Sequence, residues 1–491
     1  MTVARTKPRV NIPVGEVALR HADEGQYIDK MLRTRNEVGC TALRVLGLCV
    51  FLARTLCAHG EGDETALQAL IDGSPGEFIA VPPGEYVIDE PLRISANGTR
   101  LTGHGTIIQR NPAAPIILIE SVYDVLVRDL KLTRPADAQE VANSAILIMN
   151  AKDVAIDSVR ITGNKARDAT IQIRTSSHVA IRNCTIRDYK RVAVDDRTDS
   201  DLYGYAFQCI DGTGILADRS THCTIESNRI IEESLVPTRQ EMETLGLGKL
   251  VPGRNPDAAP GPLGKNVVAK GFATNWHQGS AIVVTGPEDS EFNTVRGNHI
   301  VNAAQGIDLH CDRTIVSENV IDHCFVGLKA THGCHGLVLS GNVISHVDLW
   351  GILLNPGAAS HAGSEDKAPN VDAAITISNN IITYYGYGHE FWNWGGREAD
   401  RPGSYAIALF DGQLAENPPL RDVTLTGNIV YDPGHETGEP PRYRYAVFVG
   451  SWHGQPEDSP NLPQGLSFSN NRFHPGTMGV ANTPLQQLTN D

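Results

Sequence analysis

The chain has 491 residues, of which 41% are hydrophobic and 20% are charged. These fractions exclude a globally disordered protein and supply enough apolar side chains for a large core. Lys and Arg number 42 against 57 Asp and Glu, which gives a formal net charge of −15. Nucleic acid and anionic membranes repel a chain of this charge, so we expect neither as a partner.

Residues 1–60 form an N-terminal extension that we separate from the rest of the fold. Its apolar stretch Val45–Ala53 has nine residues, too few to cross a bilayer. A basic stretch after Met31, this apolar run and small residues near Ala58 are typical of a signal peptide read from an upstream start codon. That interpretation favours a secreted or periplasmic protein. If residues 31–58 instead form an amphipathic helix that caps the next domain, we expect a cytoplasmic protein.

The segment after Gly62 begins as a helix and continues as strands. GDETALQALIDG places Leu67, Leu70 and Ile71 on one side of a helix. The following FIAVPPGEYVI and PLRISANGTRLTGHGTIIQR alternate apolar and polar residues with period two, as strands do. We therefore predict a helix that caps a β domain.

One pattern then recurs along the chain: a small residue, an apolar strand, a turn, a second strand and usually Asn followed by Ile or Val. Its first apolar positions lie 25, 21 and 24 residues apart, at Ile282, Ile307, Leu328 and Ile352. One coil of this length buries little apolar surface, whereas stacked coils share a continuous core. The period predicts an all-β solenoid over residues 61–478, followed by a tail, 479–491. A doubly wound α/β fold would need longer helical segments between the strands.

A recurring corner of the solenoid is marked by Asn298, Asn319 and Asn342, which are 21 and 23 residues apart. Asn tolerates a left-handed φ and can bond to a stacked Asn, so we expect a ladder of left-handed asparagines. The repeat resembles the right-handed parallel β-helix superfamily of pectin-lyase-like proteins over about residues 62–475. This resemblance implies a right-handed, single-stranded parallel β-helix in which the opening helix is the N-terminal cap.

Three long insertions interrupt the repeat, at residues 235–275, 356–373 and 384–404. Such loops add little stability to a repeat protein, so we interpret them as parts of a binding site. The third is the most aromatic segment of the chain, and its Trp392, Trp394 and Arg397 predict a platform for sugar rings. Packing of this loop on its own coil is the alternative.

Strand alternation predicts which side chains point outward together. If Ile307 and Leu309 point into the core, Asp308 and His310 point out. An acid, an imidazole and cations on one exposed face suit proton transfer beside an anionic ligand. The candidate catalytic residues are therefore His310, Asp308, Lys329 and Asp218. The candidate substrate-binding residues are Arg174, His332, Asn355, His277, Trp392, Trp394 and Arg397. A solvated polar face with ordinary cross-strand pairs is the alternative.

The segment Gly306–Asp312, GIDLHCD, resembles the DPHD motif of alginate (mannuronan) C5-epimerases, which are β-helix enzymes. The resemblance implies that His310 acts on the C5 proton of a uronate, with Asp308 as its acidic partner and a basic residue of a neighbouring coil against the carboxylate. Leu309 stands where the motif has Pro, and Asp312 comes one position later than the motif's second acid.

These residues favour a carbohydrate-active enzyme that acts on a poly- or oligosaccharide, as a lyase or C5-epimerase of a uronate polymer. The first alternative is a glycoside hydrolase or a glycosyl-transferring enzyme of fructan type, with carboxylates such as Asp218 and Asp308. The second is a non-catalytic glycan-binding β-helix. The pattern requires no cofactor and indicates no metal ligand set, although outward carboxylates could bind Ca²⁺. The expected partner is a saccharide, and a homo-oligomer is left open.

Overall fold

The computed structural model describes residues 63–138, 141–194, 206–234, 239–249, 279–286, 289–356, 371–384, 404–411, 418–438, 440–441, 443–450 and 462–485. They belong to one compact unit, which spans His59–Asp491. None of the helices in these ranges has the length and apolar character that a bilayer crossing requires.

The described chain opens with helix α1, Asp63–Asp72, whose Leu67 and Ile71 are buried against the first strands. The early coils contain β1 (Phe78–Val81), β2 (Glu85–Ile88), β3 (Leu92–Ile94), β4 (Arg100–Gly103), β5 (Thr106–Gln109), β6 (Ile117–Glu120), β7 (Tyr123–Arg128), β8 (Lys131–Thr133), β9 (Ile146–Met149), β10 (Lys152–Asp157), β11 (Arg160–Thr162), β12 (Ala169–Arg174), β13 (Ser177–Arg182), β14 (Thr185–Arg187), β15 (Arg191–Val194), β16 (Gln208–Asp211) and β17 (Thr213–Asp218).

The later coils contain β18 (Thr224–Glu226), β19 (Arg229–Ile231), β20 (Ser280–Thr285), β21 (Thr294–Arg296), β22 (His299–Val301), β23 (Gln305–Leu309), β24 (Ile315–Ser317), β25 (Val320–Thr331), β26 (Val338–Ser340), β27 (Val343–Asn355), β28 (Ala373–Ser378), β29 (Ile381–Thr383), β30 (Tyr405–Phe410), β31 (Arg421–Thr426), β32 (Ile429–Tyr431), β33 (Tyr445–Gly450), β34 (Ser467–Ser469), β35 (Arg472–Phe473) and β36 (Gly479–Ala481). Two short helices lie between strands, α2 (Arg239–Leu245) and α3 (Gly434–Thr437).

Each coil contributes in turn to three columns of parallel strands. The first column, from β1 to β34, is a 12-stranded sheet in which each strand pairs with the strand one coil on. The second column runs from β2 to β35 and the third from β3 to β36. These two columns join in one 22-stranded sheet, because β25 and β27 pass unbroken through the corner between them. The predicted all-β parallel solenoid with an N-terminal helix is confirmed.

Aliphatic side chains stack in rows inside the solenoid. One row of the third column consists of fully buried residues paired in register, Ile146, Ile171, Ile215, Ile282, Ile307, Leu328, Ile352 and Ile407. Burial of each such side chain is worth roughly 1.5–3 kcal/mol. The stacked row therefore supplies the continuous core that a single coil cannot form.

Buried asparagines form a hydrogen-bonded ladder at the corner between the first and second columns. Nδ2 of Asn298 donates to Oδ1 of Asn319 at 2.9 Å, and Asn319 donates to Asn342 in the same way at 2.9 Å. The full ladder contains Asn228, Asn298, Asn319, Asn342, Asn380, Asn428 and Asn471. The ladder expected from the sequence is present.

The left-handed backbone conformation lies one residue before each ladder asparagine. Gly297 has φ +62° and Glu318 has φ +59°, whereas Asn298 and Asn319 themselves have no positive φ. The residue before the asparagine makes the turn, and the asparagine then points its amide into the corner. The prediction that the ladder asparagines are themselves left-handed is wrong.

In chain order, insertions occur both before and after strands of the third column. One set lies between the second and third columns, at 188–212, 232–279, 384–404 and 432–444. The other set follows the third column, at 356–372, 411–420 and 451–466. Each insertion therefore begins or ends at a strand of the third column.

We expect Asn319→Ala to lower the free energy of unfolding by about 3 kcal/mol, because buried polar groups lose their partners. Asn319 donates to the backbone carbonyl of Val295 and accepts from the amides of Asn298. Urea unfolding measures the change. Asn471→Ala, at the half-buried end of the ladder, is the control and should cost about 1 kcal/mol. Equal losses in the two variants would contradict this account of the ladder.

Candidate functional site

Two outward rows of side chains run along the third column. The first, called the Asp308 row, contains Gln172, Leu216, Val283, Asp308, Lys329 and Leu353 in register. The second, called the His310 row, contains Arg174, Asp218, Thr285, His310, Thr331 and Asn355. The parallel register therefore places the predicted acid, imidazole and lysine on adjacent strands, as strand alternation predicts.

Asp308 lies between two potentially cationic side chains. Nζ of Lys329 donates to its Oδ2 at 3.0 Å, and Nε2 of His310 lies 3.0 Å from its Oδ1. The second contact lacks the alignment of a hydrogen bond, so its attraction is mainly electrostatic. The Asp308 side chain is 6% exposed, against 13% for His310 and 22% for Lys329. The carboxylate is thus the deepest member of the cluster.

Burial alone would raise the pKa of the Asp308 carboxyl. The charges of His310 and Lys329 outweigh this effect and hold that pKa well below its ordinary value. Asp308 is therefore ionised at neutral pH and serves as a fixed negative charge. A carboxyl in this state accepts hydrogen bonds, but it is poorly suited to deliver a proton.

The other nitrogen of His310 contacts the neighbouring coil. Nδ1 lies 3.0 Å from Oγ1 of Thr285, and the His332 ring packs edge-on against the imidazole with 4.4 Å between ring centroids. Because Asp308 is an anion, the neutral imidazole carries its proton on Nε2 and leaves the lone pair on Nδ1. Nδ1 is then the nitrogen that could accept a proton.

Arg174 and Asp218 occupy the next positions of the His310 row. Asp218 is in register with both Arg174 and Thr285, so one coil separates it from His310. Its Oδ2 also accepts from the Arg219 guanidinium at 3.0 Å. Arg174 donates to the amide oxygen of Gln172 at 2.9 Å in the amide orientation that satisfies both groups. A mixed charged cluster therefore continues the row away from Lys329.

His332 and Asn355 are less accessible than their outward positions suggest. His332 is 5% exposed and Asn355 is 1% exposed. The turn after His332 is held by Asp372, whose Oδ1 accepts from the backbone amides of Gly333 and Cys334 at 2.7 Å each. Burial raises the pKa of Asp372 to about 7. In this conformation His332 contacts His310, and its assignment to substrate binding stays a prediction.

Asp312, compared above with the second acid of the DPHD motif, does not join the cluster around Asp308. Its Oδ1 accepts from the backbone amide of His335 at 2.9 Å and lies 3.2 Å from Nδ1 of the same residue. The chain turns between Leu309 and Asp312, so the two acids support different parts of the coil. Only the Asp308 and His310 positions of the motif come together here.

An apolar cluster covers the outer face of the coils beyond Lys329. Leu353, Ala408 and Phe448 are successive outward residues of β27, β30 and β33. They belong to one buried cluster with residues of the insertions, which include Phe207, Ile210, Met242 and Leu247. Part of the insertion 235–275, interpreted above as part of a binding site, therefore packs on the sheet itself. The polar rows end at this cluster.

Four predicted binding residues, His277, Trp392, Trp394 and Arg397, lie outside the described residues and stay predictions. Sequence reasoning assigned no role to Thr285, although alternation placed it outward beside His310. It also missed the apolar cluster, since Phe207 and Met242 lie in insertions without a repeat. The cluster of Asp308, His310 and Lys329 can hold a proton acceptor beside positive charge in a mostly buried setting.

We expect Asp308→Asn to lower the free energy of unfolding by about 3–5 kcal/mol at neutral pH, because the half-buried Lys329 ammonium loses its counter-charge and His310 loses its anionic neighbour. Since the folded state depresses the pKa of Asp308, its stabilising contribution is complete above the unfolded pKa of about 4 and declines as pH falls further. Urea unfolding at several pH values should thus show the two proteins converging in acid. Asp124→Asn, in an exposed pair with Arg100, is the control and should change little. A difference that persists in acid would contradict this assignment.

Comparisons with known proteins agree with the architecture. A family model described as the right handed beta helix region matches residues 96–236. The chain is similar to a hyperthermoactive exopolygalacturonase from Thermotoga maritima, with 12% identity and a TM-score of 0.50 over 80% of this chain and 84% of that one. It is also similar to the A-module of a mannuronan C-5 epimerase from Azotobacter vinelandii, with 13% identity and a TM-score of 0.45 over 88% and 97% of the chains.

PfbA, a surface adhesin of Streptococcus pneumoniae, is another similar structure, with 12% identity and a TM-score of 0.46 over 84% of this chain and 88% of that one. No curated protein sequence gives a significant match. Identities this low bear on the fold and not on the activity. By its strand pairing and the matching family model, the protein is a right-handed parallel β-helix.

Proposed function

We propose that the protein is a carbohydrate-active enzyme that removes the C5 proton of a uronate unit in a poly- or oligosaccharide. The reaction would end in β-elimination, as in a lyase, or in delivery of a solvent proton to the opposite face of C5, as in an epimerase. The observation that carries the proposal is the buried Asp308 carboxylate between His310 and Lys329 on the outer face of the third column.

In this proposal His310 is the base and Asp308 is its positioning partner. The ionised carboxylate keeps the proton of the neutral imidazole on Nε2, so the lone pair on Nδ1 can take a proton once the substrate displaces the Thr285 hydroxyl. Substrate would approach from the side of Thr285, whose hydroxyl now faces Nδ1 at 3.0 Å. A base oriented in this way typically contributes a factor of about 10²–10⁴ to the rate.

Positive charge is the second requirement of this chemistry. Removal of a proton next to a carboxylate leaves an enolate whose charge must be stabilised. Lys329 lies beside His310 through their shared contact with Asp308, and Arg174 lies on the same outward row. We propose that Lys329 receives the carboxylate of the unit that loses its proton. Arg174 lies four coils away, about 19 Å at a coil spacing of about 4.8 Å, and would receive the carboxylate of another unit. In elimination, the electron pair of the broken C5–H bond forms the C4–C5 double bond and expels the O4 substituent.

A glycoside hydrolase is supported less well by the same geometry. Asp218 and Asp308 lie on coils with one coil between them, which puts them about 10 Å apart at a coil spacing of about 4.8 Å. An inverting pair lies about 6.5–9.5 Å apart and includes a carboxyl with a raised pKa. The pKa of Asp308 is lowered instead. A purely binding protein would have no need for a buried carboxylate between an imidazole and a lysine.

The apolar cluster limits how far a saccharide could extend. The outward residues beyond Lys329 are buried under insertion residues such as Met242 and Leu247. We therefore propose that the saccharide occupies the coils from Arg174 to Lys329, with one end near the apolar cluster. This arrangement favours a short binding site.

The test is incubation of purified protein with a panel of polyuronates and neutral glycans. The ultraviolet absorbance of unsaturated uronates, new reducing ends and uptake of deuterium from D₂O would be measured together. Absorbance with reducing ends identifies a lyase, and deuterium uptake without cleavage identifies an epimerase. Reducing ends without absorbance would contradict the proposal in favour of hydrolysis. Activity on none of the polyuronates by any of the three readouts would also contradict it.

We expect His310→Gln to lower kcat on the active polyuronate by about 10²–10⁴-fold, because the base is lost. His335→Gln is a matched control, since His335 also contacts an aspartate, Asp312, but lies outside the cluster. It should retain wild-type activity. Equal losses in the two variants would show that the effect is not specific to the proposed base.

We expect Arg174→Ala to raise KM for a uronate substrate more than it lowers kcat, if the guanidinium mainly binds a carboxylate in the ground state. The effect should weaken with added salt, because the interaction is between charges. Arg182→Ala is the control, since this arginine pairs with Asp157 on the first column. Steady-state kinetics at two ionic strengths measures both effects. An unchanged KM in Arg174→Ala would remove this residue from the binding site.

A further inference from the structure

A second group of chemically active side chains lies at the corner between the second and third columns. Asp322 belongs to β25, and His323 follows it with φ +53°. Ser345 pairs in register with Asp322 one coil on, and His346 follows it with φ +50°. We propose that Asp322, His323 and His346 form a binding site for a divalent transition-metal ion, with Zn²⁺ as the expected ion.

Both imidazoles direct the same nitrogen to one carboxylate. Nδ1 of His323 lies 2.8 Å from Oδ2 of Asp322, and Nδ1 of His346 lies 2.7 Å from Oδ1. The ligand atoms of the three residues lie within 4.8 Å of one another. A tetrahedral zinc site, with bonds of about 2.0–2.2 Å, needs ligand atoms roughly 3.3 Å apart. The two nitrogen–oxygen separations, 2.8 and 2.7 Å, are shorter than that value, so the side chains would rotate apart by a few tenths of an ångström to admit the ion.

The stacking of the coils fixes the orientation of the two rings. The His323 and His346 rings are stacked with centroids 4.3 Å apart and planes 9° from parallel. Tyr384 continues the stack on His346 at 4.9 Å and 8°. Such stacking restricts ring rotation, so both nitrogens face the carboxylate before any ion binds. A preorganised ligand set loses less entropy when the ion binds.

The group is open to solvent. The side chains of Asp322, His323 and His346 are 28%, 46% and 30% exposed. β25 and β27 pass through this corner without an insertion. Ser345 Oγ donates to Oδ1 of Asp322 at 2.5 Å and orients the carboxylate, as outer partners of metal ligands do.

Within the described ranges, the histidines around His178 and around His335 lack this convergence. His178 and His222 also stack at left-handed corners, with centroids 4.8 Å apart and planes 5° from parallel. His335 contacts Asp312 as a single imidazole. Among the described residues, only Asp322, His323 and His346 bring three such ligand atoms together. Two imidazoles with one carboxylate suit Zn²⁺, whereas Ca²⁺ and Mg²⁺ prefer oxygen ligands alone.

The experiment is a titration of chelator-treated full-length protein with ZnCl₂ by isothermal titration calorimetry. Co²⁺ binding, followed by its visible absorption, reports the ligand geometry. Wild-type protein should bind Zn²⁺ at this site. Asp322→Asn and His346→Ala should remove that binding, and Ser345→Ala should weaken it by about 10-fold or more.

The double variant His178→Ala with His222→Ala is the matched control, because it removes a stacked histidine pair without a shared carboxylate. It should keep the wild-type affinity. The absence of Zn²⁺ binding in wild-type protein, or wild-type affinity in His346→Ala, would overturn the proposal. If His346→Ala fails to fold, as judged by circular dichroism, His323→Gln at the more exposed ring replaces it, and the same loss of binding is expected. Because this site is separate from His310, either result leaves the proposed function untouched.

Discussion

Each coil of this protein is held in place by the in-register contact with the coil before it and the coil after it. This one constraint aligns Ile282, Ile307 and Leu328 into a buried row and gives the inside its continuous core. It applies equally to the outside, where it places Asp308 beside Lys329. The two outward rows are therefore assembled coil by coil by the same pairing that makes the fold stable.

Charge compensation determines what this outer surface can hold. Burial disfavours the ionised form of a carboxyl such as Asp308. The adjacent His310 and Lys329 lower its pKa, so the ionised form is the stable one. The carboxylate in turn holds the imidazole and the ammonium group each within 3.0 Å of its oxygens. Beyond Lys329 the outward residues become apolar, and the insertions cover them. The polar site thus lies at a boundary between an accessible part of the sheet and a covered part.

The sequence was sufficient for the features that depend on periodicity. The spacing from Ile282 to Ile352 predicted the solenoid, and alternation around Ile307 placed Asp308 and His310 outward. Periodicity did not reveal that Met242 would pack on the outer sheet, because an insertion has no register with the coils. Nor did it connect Asp322 with His346, since alternation describes strands, whereas these histidines project from left-handed corners.

The asparagine ladder also has a direction. From Asn228 to Asn428, each side-chain amide donates to the side-chain carbonyl of the asparagine on the following coil, so these amide dipoles point the same way along the axis. Such aligned hydrogen bonds polarise and strengthen one another. A whole coil that is duplicated or deleted within this stretch preserves that alignment, whereas a fraction of a coil interrupts it. Within this stretch the number of coils can therefore change during evolution only in complete turns, and the outward rows of the third column lengthen or shorten in the same steps.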